Sequence, residues 1–241
     1  MNLKDKVILI TGAAVRIGRA LAEDFAVQGC RLALHCNHSA AEAETLARRL
    51  RRQKAKVCVI KRDLTEPQAS EDIIRQTVNA FGRLDAVINN AAIFSKEKLI
   101  KSAEESIRGM LEINLMAPVL ITRAFAKIIG KGKIINILDR RVAGFESGMA
   151  VYLLSKKALA DFTKIAALEL APDITVNGVA PGPVLAPAKG GGHDKAGKIP
   201  LGKRPTTDAV VKAVVFLLKA DAITGEIIFV DGGQHLLGQQ D

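Results

Sequence analysis

The sequence predicts an α/β fold in which one seven-stranded parallel sheet carries helices on both faces. Strand-like runs alternate with helical patterns along all 241 residues, which is typical of parallel sheets. The runs are nearly continuous in Val, Ile and Leu, as in strands that are covered on both sides. A glycine-containing turn follows the first run, where such folds often bind a ligand. We expect one domain over residues 1–241, since α/β proteins of this length are commonly single domains.

The strand-like segments follow one another in a regular order. The first, VILIT, precedes a helical stripe in which Ile17, Leu21 and Phe25 recur every four residues until near Gly29. The predicted strands are 7–11, 31–36, 56–61, 84–90, 133–138, 174–179 and 226–231.

Capping and turn residues predict two further helix starts and one long loop. Ser39 followed by Glu42 predicts a capping box at the second helix, and Pro67 lies near the start of the third. The segment 181–200 is rich in Gly, Pro and Lys and has few core residues. We expect a flexible substrate loop there, and the alternative is a disordered insertion without a role.

Composition argues against several function classes. The net charge is +10, but Lys and Arg are spread along the chain, and the densest run, 48–56, indicates a solvated helix face. Only 4% of residues are aromatic, so base stacking and a nucleic-acid partner are not expected. No apolar run approaches about 18 residues, and no signal pattern opens the chain, so we expect a cytoplasmic protein without a membrane partner. The three cysteines lack C-x-x-C spacing, which argues against a disulfide framework and a metal site.

The turn TGAAVRIG at residues 11–18 predicts a dinucleotide-binding loop. Glycines after a first strand let the backbone turn tightly and approach a pyrophosphate, and the following helix points free N–H groups at that anion. The spacing departs from G-x-G-x-x-G, because Arg16 stands where a glycine is expected between Gly12 and Gly18.

The end of the second predicted strand favours NADPH over NADH. An NAD site usually has Asp or Glu about twenty residues further along the chain, whereas HCNHS at 35–39 has no acid. Arg16, His35, His38 and Ser39 are candidate donors to a 2′-phosphate. The alternative for the two histidines is an ordinary place in a surface turn.

Tyr152, the only tyrosine, precedes Lys156 by four residues, so a helix would place both side chains on one face. A nearby ammonium favours phenolate and lowers the phenol pKa from its usual value of about 10. Such a phenol is suited to general acid catalysis. The alternative is an ordinary surface pair.

Asp139 favours a nitrogen heterocycle as the substrate. An ionised carboxylate only accepts hydrogen bonds, and it would repel the oxyanion that develops when a ketone is reduced. A nitrogen heterocycle presents ring N–H donors, and a reducible C=N bond is protonated on nitrogen. The alternative is an aspartate paired with Arg140 or Arg141 at a strand end.

The chain resembles the short-chain dehydrogenase/reductases over essentially its whole length. Seven motifs occur in order: TGAAVRIG, Asp63–Leu64, NNAA at 89–92, Asn114 in EINLMAP, YLLSK at 152–156, NGVAPG at 177–182 and VDGG at 230–233. The resemblance implies a single Rossmann-type doubly wound domain, a nicotinamide cofactor and a homotetramer.

Within that family the sequence is most similar to the pteridine reductases. The shared features are the arginine of the first turn, the segment HCNHSAAEA, the aspartate at 139 in place of the usual serine, and Phe94. By position, Phe94 would stack on the pterin ring, although an ordinary core phenylalanine is the alternative. Asp139, Tyr152 and Lys156 would be catalytic, and Asn114 would steady the helix or water chain beside the lysine.

Several positions depart from the pteridine reductase pattern. His38 stands where those enzymes have an arginine, Ala92 and Val184 replace hydroxyl-bearing residues, and two arginines directly follow the aspartate.

We therefore expect an NADPH-dependent reductase of pterins or dihydropterins. The alternatives are a carbonyl or 3-oxoacyl-thioester reductase and an NADPH-binding sensor without turnover. The expected cofactor contacts are Gly12, Arg16, Ile17, Gly18, His35, Asn37, His38, Ser39, Asp63, Leu64, Asn90, Ala91, Lys156, Pro181 and Gly182.

Overall fold

A computed structural model describes residues 1–184 and 197–237 of the chain. It contains one parallel sheet with the strand order β3-β2-β1-β4-β5-β6-β7, which confirms the predicted fold class. The strands are β1 (Val7–Ile10), β2 (Arg31–Cys36), β3 (Val57–Lys61), β4 (Ala86–Asn89), β5 (Gly132–Ile137), β6 (Ile174–Pro181) and β7 (Ile227–Val230).

Helices cover both faces of the sheet. They are α1 (Arg16–Val27), α2 (Ala40–Arg52), α3 (Ala69–Phe81), α4 (Glu104–Leu111), α5 (Ala117–Ile128), α6 (Ala150–Glu169) and α7 (Thr207–Lys219). Alternate residues of β1 enter two cores: Ile8 and Ile10 pack with α1, α2 and α7, while Val7 and Leu9 pack with α3, α5 and α6. The apolar runs are nearly continuous because each of the strands β1 to β6 supplies both cores.

The predicted helix starts agree with the structure in position, but a predicted side-chain capping bond is absent. Ser39 is the N-cap of α2, yet its side chain makes no capping hydrogen bond, so the predicted capping box is wrong. Pro67 lies two residues before Ala69, where α3 begins. The predicted loop 181–200 starts at Pro181, the last residue of β6, and residues 185–196 lie outside the described residues.

A continuous helical stretch of 25 residues, Glu104–Ile128, joins α4 and α5 through a π-helical turn, Glu112–Met116. Among the described residues it is the one helix long and apolar enough to cross a membrane, by length and composition alone. Its apolar character has a second explanation, because Ile121 and Phe125 are buried in the core against β4 and β5. The three cysteines are free thiols, two of them buried.

Candidate active site

The candidate site lies at the carboxyl ends of the strands, beside the point where the strand order reverses between β1 and β4. Loops that leave neighbouring strands in opposite directions open a crevice at such a point, and dinucleotides bind there in doubly wound sheets. The predicted site residues lie at or after the ends of strands β1 to β6, so the topology brings these segments to one edge of the sheet.

The glycine turn after β1 is tightly packed against the loop after β4. Gly12 has a left-handed φ of +61°, and a Cβ there would lie 3.0 Å from the Cα of Ala91. A Cβ on Gly18 would lie 2.7 Å from Nδ2 of Asn90. That amide nitrogen donates to the carbonyl oxygens of Thr11 (2.9 Å) and Gly12 (3.0 Å). Asn90 and Ala91 therefore hold the turn from the neighbouring strand.

The start of α1 fits an anion such as a pyrophosphate. The N-cap residue of this helix, Val15, makes no side-chain capping hydrogen bond. The N–H groups of a first helical turn without such a cap suit an anion. Arg16, which is exposed, adopts a left-handed φ of 53°. A residue other than glycine is disfavoured in that conformation by roughly 1–2 kcal/mol, and Arg16 stands where a glycine was expected. Ile17 follows it, half-buried against the first core.

His35 has a different position from the one expected of a phosphate donor. Its side chain is buried, its Nε2 lies 2.9 Å from the carbonyl oxygen of Arg62, and its Nδ1 accepts from the Gly12 amide at 3.4 Å. Burial lowers the pKa of the imidazole, which favours the neutral ring that these two bonds require. His35 therefore supports the glycine turn through its hydrogen bond with the Gly12 amide. The prediction that His35 donates directly to a phosphate is corrected, because its second ring nitrogen is bonded to the carbonyl oxygen of Arg62.

The other residues after β2 remain accessible. Asn37 and Ser39 are half-buried, and His38 is exposed. Hydrogen bonds from Thr65 hold the pKa of the nearby Asp63 below its usual range, and Asn37 and His38 act in the same direction. Asp63 thus joins the segments after β2 and β3. The next residue, Leu64, is buried.

The predicted catalytic pair after β5 is in direct contact. The hydroxyl of Tyr152, in the first turn of α6, donates to Oδ2 of Asp139 at 2.9 Å. Phe94 packs against the same phenol in an edge-to-face arrangement, with ring centroids 4.7 Å apart. Phe94 is 57% exposed, so it is not an ordinary core phenylalanine.

The direction of the Tyr152 pKa shift is opposite to the one expected from sequence. Burial raises the pKa of the phenol, and the charge of Asp139 and its hydrogen bond raise it further. Lys156 lies on the same face but donates from Nζ to the carbonyl oxygen of Ile137 at 2.9 Å. Burial lowers the pKa of Lys156 to about 8, against the opposing influence of Asp139. Burial and the carboxylate of Asp139 together outweigh the opposing charge of Arg141, which favours phenolate.

Asn114 ties the helical stretch to the loop after β4. It is fully buried in the π-helical turn; its Oδ1 accepts from the Ile93 amide, and its Nδ2 donates to the Ile93 carbonyl oxygen, both at 2.9 Å. Nδ2 also lies 3.2 Å from Oγ of Ser155, the residue before Lys156. These bonds join the π-helical turn to the loop after β4 and to α6 beside Lys156, and the role of Asn114 in the reaction stays a prediction.

A buried polar chain was missed by the sequence reasoning. Asn89 and Asn136 are register partners on β4 and β5, and their side chains join at 2.8 Å. Asn136 donates in turn to Thr163 of α6 at 2.9 Å. The available signal was an asparagine near the end of each of two otherwise apolar strands.

The end of β6 lies against Asp231, which forms a pair with His235 that the sequence did not predict. A Cβ on Gly182, which follows Pro181, would lie 2.8 Å from the Cα of Asp231. Asp231 is buried and accepts from Nδ1 of His235 at 2.9 Å. Val184 is buried next to this region. Among residues 1–184 and 197–237, no group of His, Cys, Asp and Glu is arranged to hold a metal ion.

The comparisons with known proteins match nearly the whole chain. A family model described as Enoyl-(Acyl carrier protein) reductase matches residues 12–235. The crystal structure of FolM Alternative dihydrofolate reductase 1 from Brucella canis, complexed with NADP, is similar with a TM-score of 0.91 and 31% identity, covering 100% of this chain and 98% of that one. Pteridine reductase 1 of Leishmania tarentolae is 30% identical over 95% of this chain and 96% of its own length. The 3-oxoacyl-[acyl-carrier-protein] reductase FabG of Thermotoga maritima is 30% identical over 97% of this chain and 99% of its own.

Proposed function

The chain belongs to the short-chain dehydrogenase/reductase family, and on that premise we propose that it is an NADPH-dependent reductase of pterins or dihydropterins. The observation that carries the proposal is the 2.9 Å hydrogen bond from the Tyr152 hydroxyl to the Asp139 carboxylate. It places an acceptor, not a neutral donor, beside the proton-giving phenol.

A carboxylate in this place discriminates between substrate classes by charge. Reduction of a ketone develops negative charge on oxygen, which the carboxylate of Asp139 would oppose. Reduction of a ring C=N bond ends with a proton on nitrogen, and the neighbouring N–H and amino groups are donors that a carboxylate can accept. Asp139 therefore favours a nitrogen heterocycle.

Phe94 supplies an accessible aromatic surface next to the catalytic phenol. Its edge-to-face contact with Tyr152 fixes its ring near the reacting atoms, while more than half of its surface remains open. Stacking of a flat substrate ring on an aromatic face contributes about 0.5–1.5 kcal/mol beyond burial. This surface suits a bicyclic pterin better than an extended acyl chain.

The dinucleotide would be held by the loops that surround the glycine turn. Gly12, Gly18 and the uncapped start of α1 suit the pyrophosphate, and Arg16 with His38 and Ser39 suits a 2′-phosphate. The absence of an acid at 35–39 supports NADPH, as does the similarity to an NADP-bound FolM structure. When bound, the reduced nicotinamide supplies the hydride.

The protein's own part in the reaction is to deliver one proton to the ring nitrogen. In the free protein the Tyr152 proton is directed at Oδ2 of Asp139. A substrate N–H that binds Oδ2 competes for that acceptor and frees the hydroxyl to turn toward the ring. Lys156, whose pKa lies near 8, is placed on the same helix face to restore the proton.

The test is an NADPH oxidation assay at 340 nm with dihydrobiopterin, dihydrofolate and a β-ketoester, run with wild type and Tyr152→Phe. We expect turnover of at least one pterin compound, and we expect the variant to lose it. Turnover of the ketoester alone would overturn the pterin proposal.

A second candidate is a 3-oxoacyl-thioester reductase. It is favoured by the similarity to FabG of Thermotoga maritima, which matches this chain as closely as the pteridine reductase does. Asp139 weighs against it, because its carboxylate contacts the Tyr152 hydroxyl and would oppose negative charge on a ketone oxygen that binds there. The β-ketoester in the assay decides between the two.

Further parts of the proposal concern the whole molecule. We expect one domain over residues 1–241 and a cytoplasmic homotetramer without nucleic-acid or membrane partners. The exposed apolar side chains of Leu154, Ile165 and Leu168 on α6 support assembly with other copies. Sedimentation analysis at several protein concentrations tests the assembly.

A further inference from the structure

The two carboxylate oxygens of Asp139 have different partners. Oδ1 accepts from the backbone amide of Arg141 at 2.9 Å and lies 3.3 Å from its Nη1. Oδ2 accepts from the Tyr152 hydroxyl at 2.9 Å and lies 3.2 Å from the same Nη1. Nη1 of the guanidinium therefore lies near both oxygens, and Oδ2 is shared between it and the phenol.

Arg141 is itself held in place by an acid. Its Nε donates to Oε2 of Glu146 at 2.6 Å, and only a quarter of its side chain is exposed. Arg140 lies 3.8 Å from the same oxygen, a looser contact. The result is a chain of charges and donors that runs from Glu146 through Arg141 and Asp139 to Tyr152.

We propose that Arg141, braced by Glu146, is a positioning residue that fixes the Asp139 carboxylate so that Oδ2 faces the Tyr152 hydroxyl and the substrate. The inference deepens the proposed function and rests on it for the identity of the substrate. The side chain of Arg141 donates to Asp139 and Glu146, so it would act on the reaction through the aspartate.

A carboxylate needs such positioning because it rotates easily about its terminal bond. The terminal torsion of an aspartate has a broad, nearly two-fold energy profile, so an unbraced carboxylate rotates easily. Nη1 of Arg141 lies within 3.3 Å of both oxygens, and the bond from Nε to Glu146 holds the planar guanidinium in place, which restricts that rotation. With Oδ1 committed to Arg141, a substrate N–H finds one acceptor at one place. Such preorganisation is sensitive, because a displacement of about 1 Å can cost about 10²-fold in rate.

A competing explanation is that Asp139 merely caps the short 3₁₀ turn Arg140–Ala143 that follows it. The cap uses the backbone amide of Arg141 and does not depend on its side chain. Replacing the side chain alone therefore separates the two explanations. Arg141→Met keeps the amide and most of the side-chain length, and Arg140→Met is the matched control.

Tyr152 is a built-in probe for the test, because the chain has one tyrosine and no tryptophan. A carboxylate that accepts a hydrogen bond from a phenol quenches the fluorescence of the tyrosine. The measurement is the emission of the cofactor-free protein on excitation near the tyrosine band, with Asp139→Asn as the reference for a lost contact. It needs neither cofactor nor substrate, so it is independent of the proposed function.

We expect the emission of Arg141→Met to rise toward that of Asp139→Asn, that of Arg141→Lys to lie between Arg141→Met and wild type, and that of Arg140→Met to equal wild type. Glu146→Gln, which releases the guanidinium from a half-exposed partner, serves as a second variant if Arg141→Met does not fold by circular dichroism. For any substrate that wild type reduces, Arg141→Met should lose about 10–100-fold in kcat, with NADPH affinity unchanged.

The two ideas fail separately. Emission of Arg141→Met and Glu146→Gln equal to wild type would overturn the positioning role whether or not pterins are reduced. Emission of Asp139→Asn equal to wild type would overturn it as well, because the contact to be positioned would be absent. If the emission changes as expected but no pterin is reduced, the pterin assignment falls and the positioning role stands.

Discussion

Replacing Asp139 by asparagine should lower the pKa of Tyr152. The carboxylate opposes formation of phenolate through its charge and through the hydrogen bond that it accepts. Asparagine has nearly the same shape and removes the charge. Burial also raises the pKa of Tyr152 and persists in the variant, so the phenol of Asp139→Asn should still ionise above the ordinary range for tyrosine.

The size of the effect follows from the separation of the two groups. Two unit charges 2.9 Å apart repel by about 6 kcal/mol at an effective dielectric constant of 20. Arg141 offsets part of this repulsion, because its charge favours phenolate. The remaining repulsion is large enough that wild-type Tyr152 should stay protonated until the fold is lost in alkali.

The assay is a pH titration followed by phenolate absorbance near 295 nm, with far-ultraviolet circular dichroism recorded on the same samples. The single tyrosine makes every change in absorbance assignable to Tyr152. In wild type the absorbance step should coincide with unfolding, whereas in Asp139→Asn it should precede unfolding. Coincident steps in both proteins would refute the claim that Asp139 controls the phenol.

Four other outcomes follow from the site. Tyr152→Phe should lower kcat by about 10²–10⁴-fold with unchanged NADPH affinity, and full activity would remove the phenol from the chemistry. Asp139→Ser should lower kcat/KM for pterins and raise it for a β-ketoester, and a parallel loss for both would contradict the charge argument. Arg16→Gly, which tolerates the left-handed backbone, should raise KM for NADPH by about 10-fold or more while sparing NADH, and equal effects on both would contradict a phosphate contact. Lys156→Met should raise the free energy of unfolding in urea at pH 7 by up to about 3 kcal/mol, since burial lowers the lysine pKa from 10.5 to about 8. Between those two pH values the unfolded wild type holds the extra proton, so wild-type stability should rise with pH there, and a variant with the same slope would contradict this.

The sheet was predictable because its physical signal is local and strong. Each of the strands β1 to β6 supplies two cores and appears in the sequence as a run of mostly apolar residues, and the predicted strands differ from the observed ones by at most two residues at either end. The doubly wound arrangement was predicted from the resemblance to a family, since periodicity does not reveal which strands are neighbours, and the order of the strands comes from the structure.

The side-chain roles were less predictable because they depend on burial and on partners distant in sequence. His35 lies next to the proposed phosphate ligands His38 and Ser39 in the sequence, but its ring nitrogens lie near the amide of Gly12 and the carbonyl oxygen of Arg62. Ser39 precedes a helix, yet its side chain makes no capping bond. In both cases the residue type was compatible with two roles, and only the three-dimensional partners distinguish them.

The predicted direction of the Tyr152 pKa shift was wrong for a related reason. Helical spacing places Lys156 near the phenol, and the sequence alone suggested that its charge would dominate. In the structure Lys156 donates to the carbonyl of Ile137, and Asp139, thirteen residues away in sequence, makes the direct contact. The possibility of an Asp139–Arg141 pair was foreseen as an alternative to catalysis, but the carboxylate contacts Arg141 and Tyr152 together.

The buried imidazole of His35 should make the glycine turn sensitive to acid. Its ring must stay neutral to accept the Gly12 amide, and burial holds its pKa below 6.5. As the pH falls below 6.5, the unfolded chain takes up a proton that the native ring resists, so native stability declines. Once the ring is charged, two N–H groups would face each other at the turn. Acidification should therefore weaken dinucleotide binding before it disrupts the central strands.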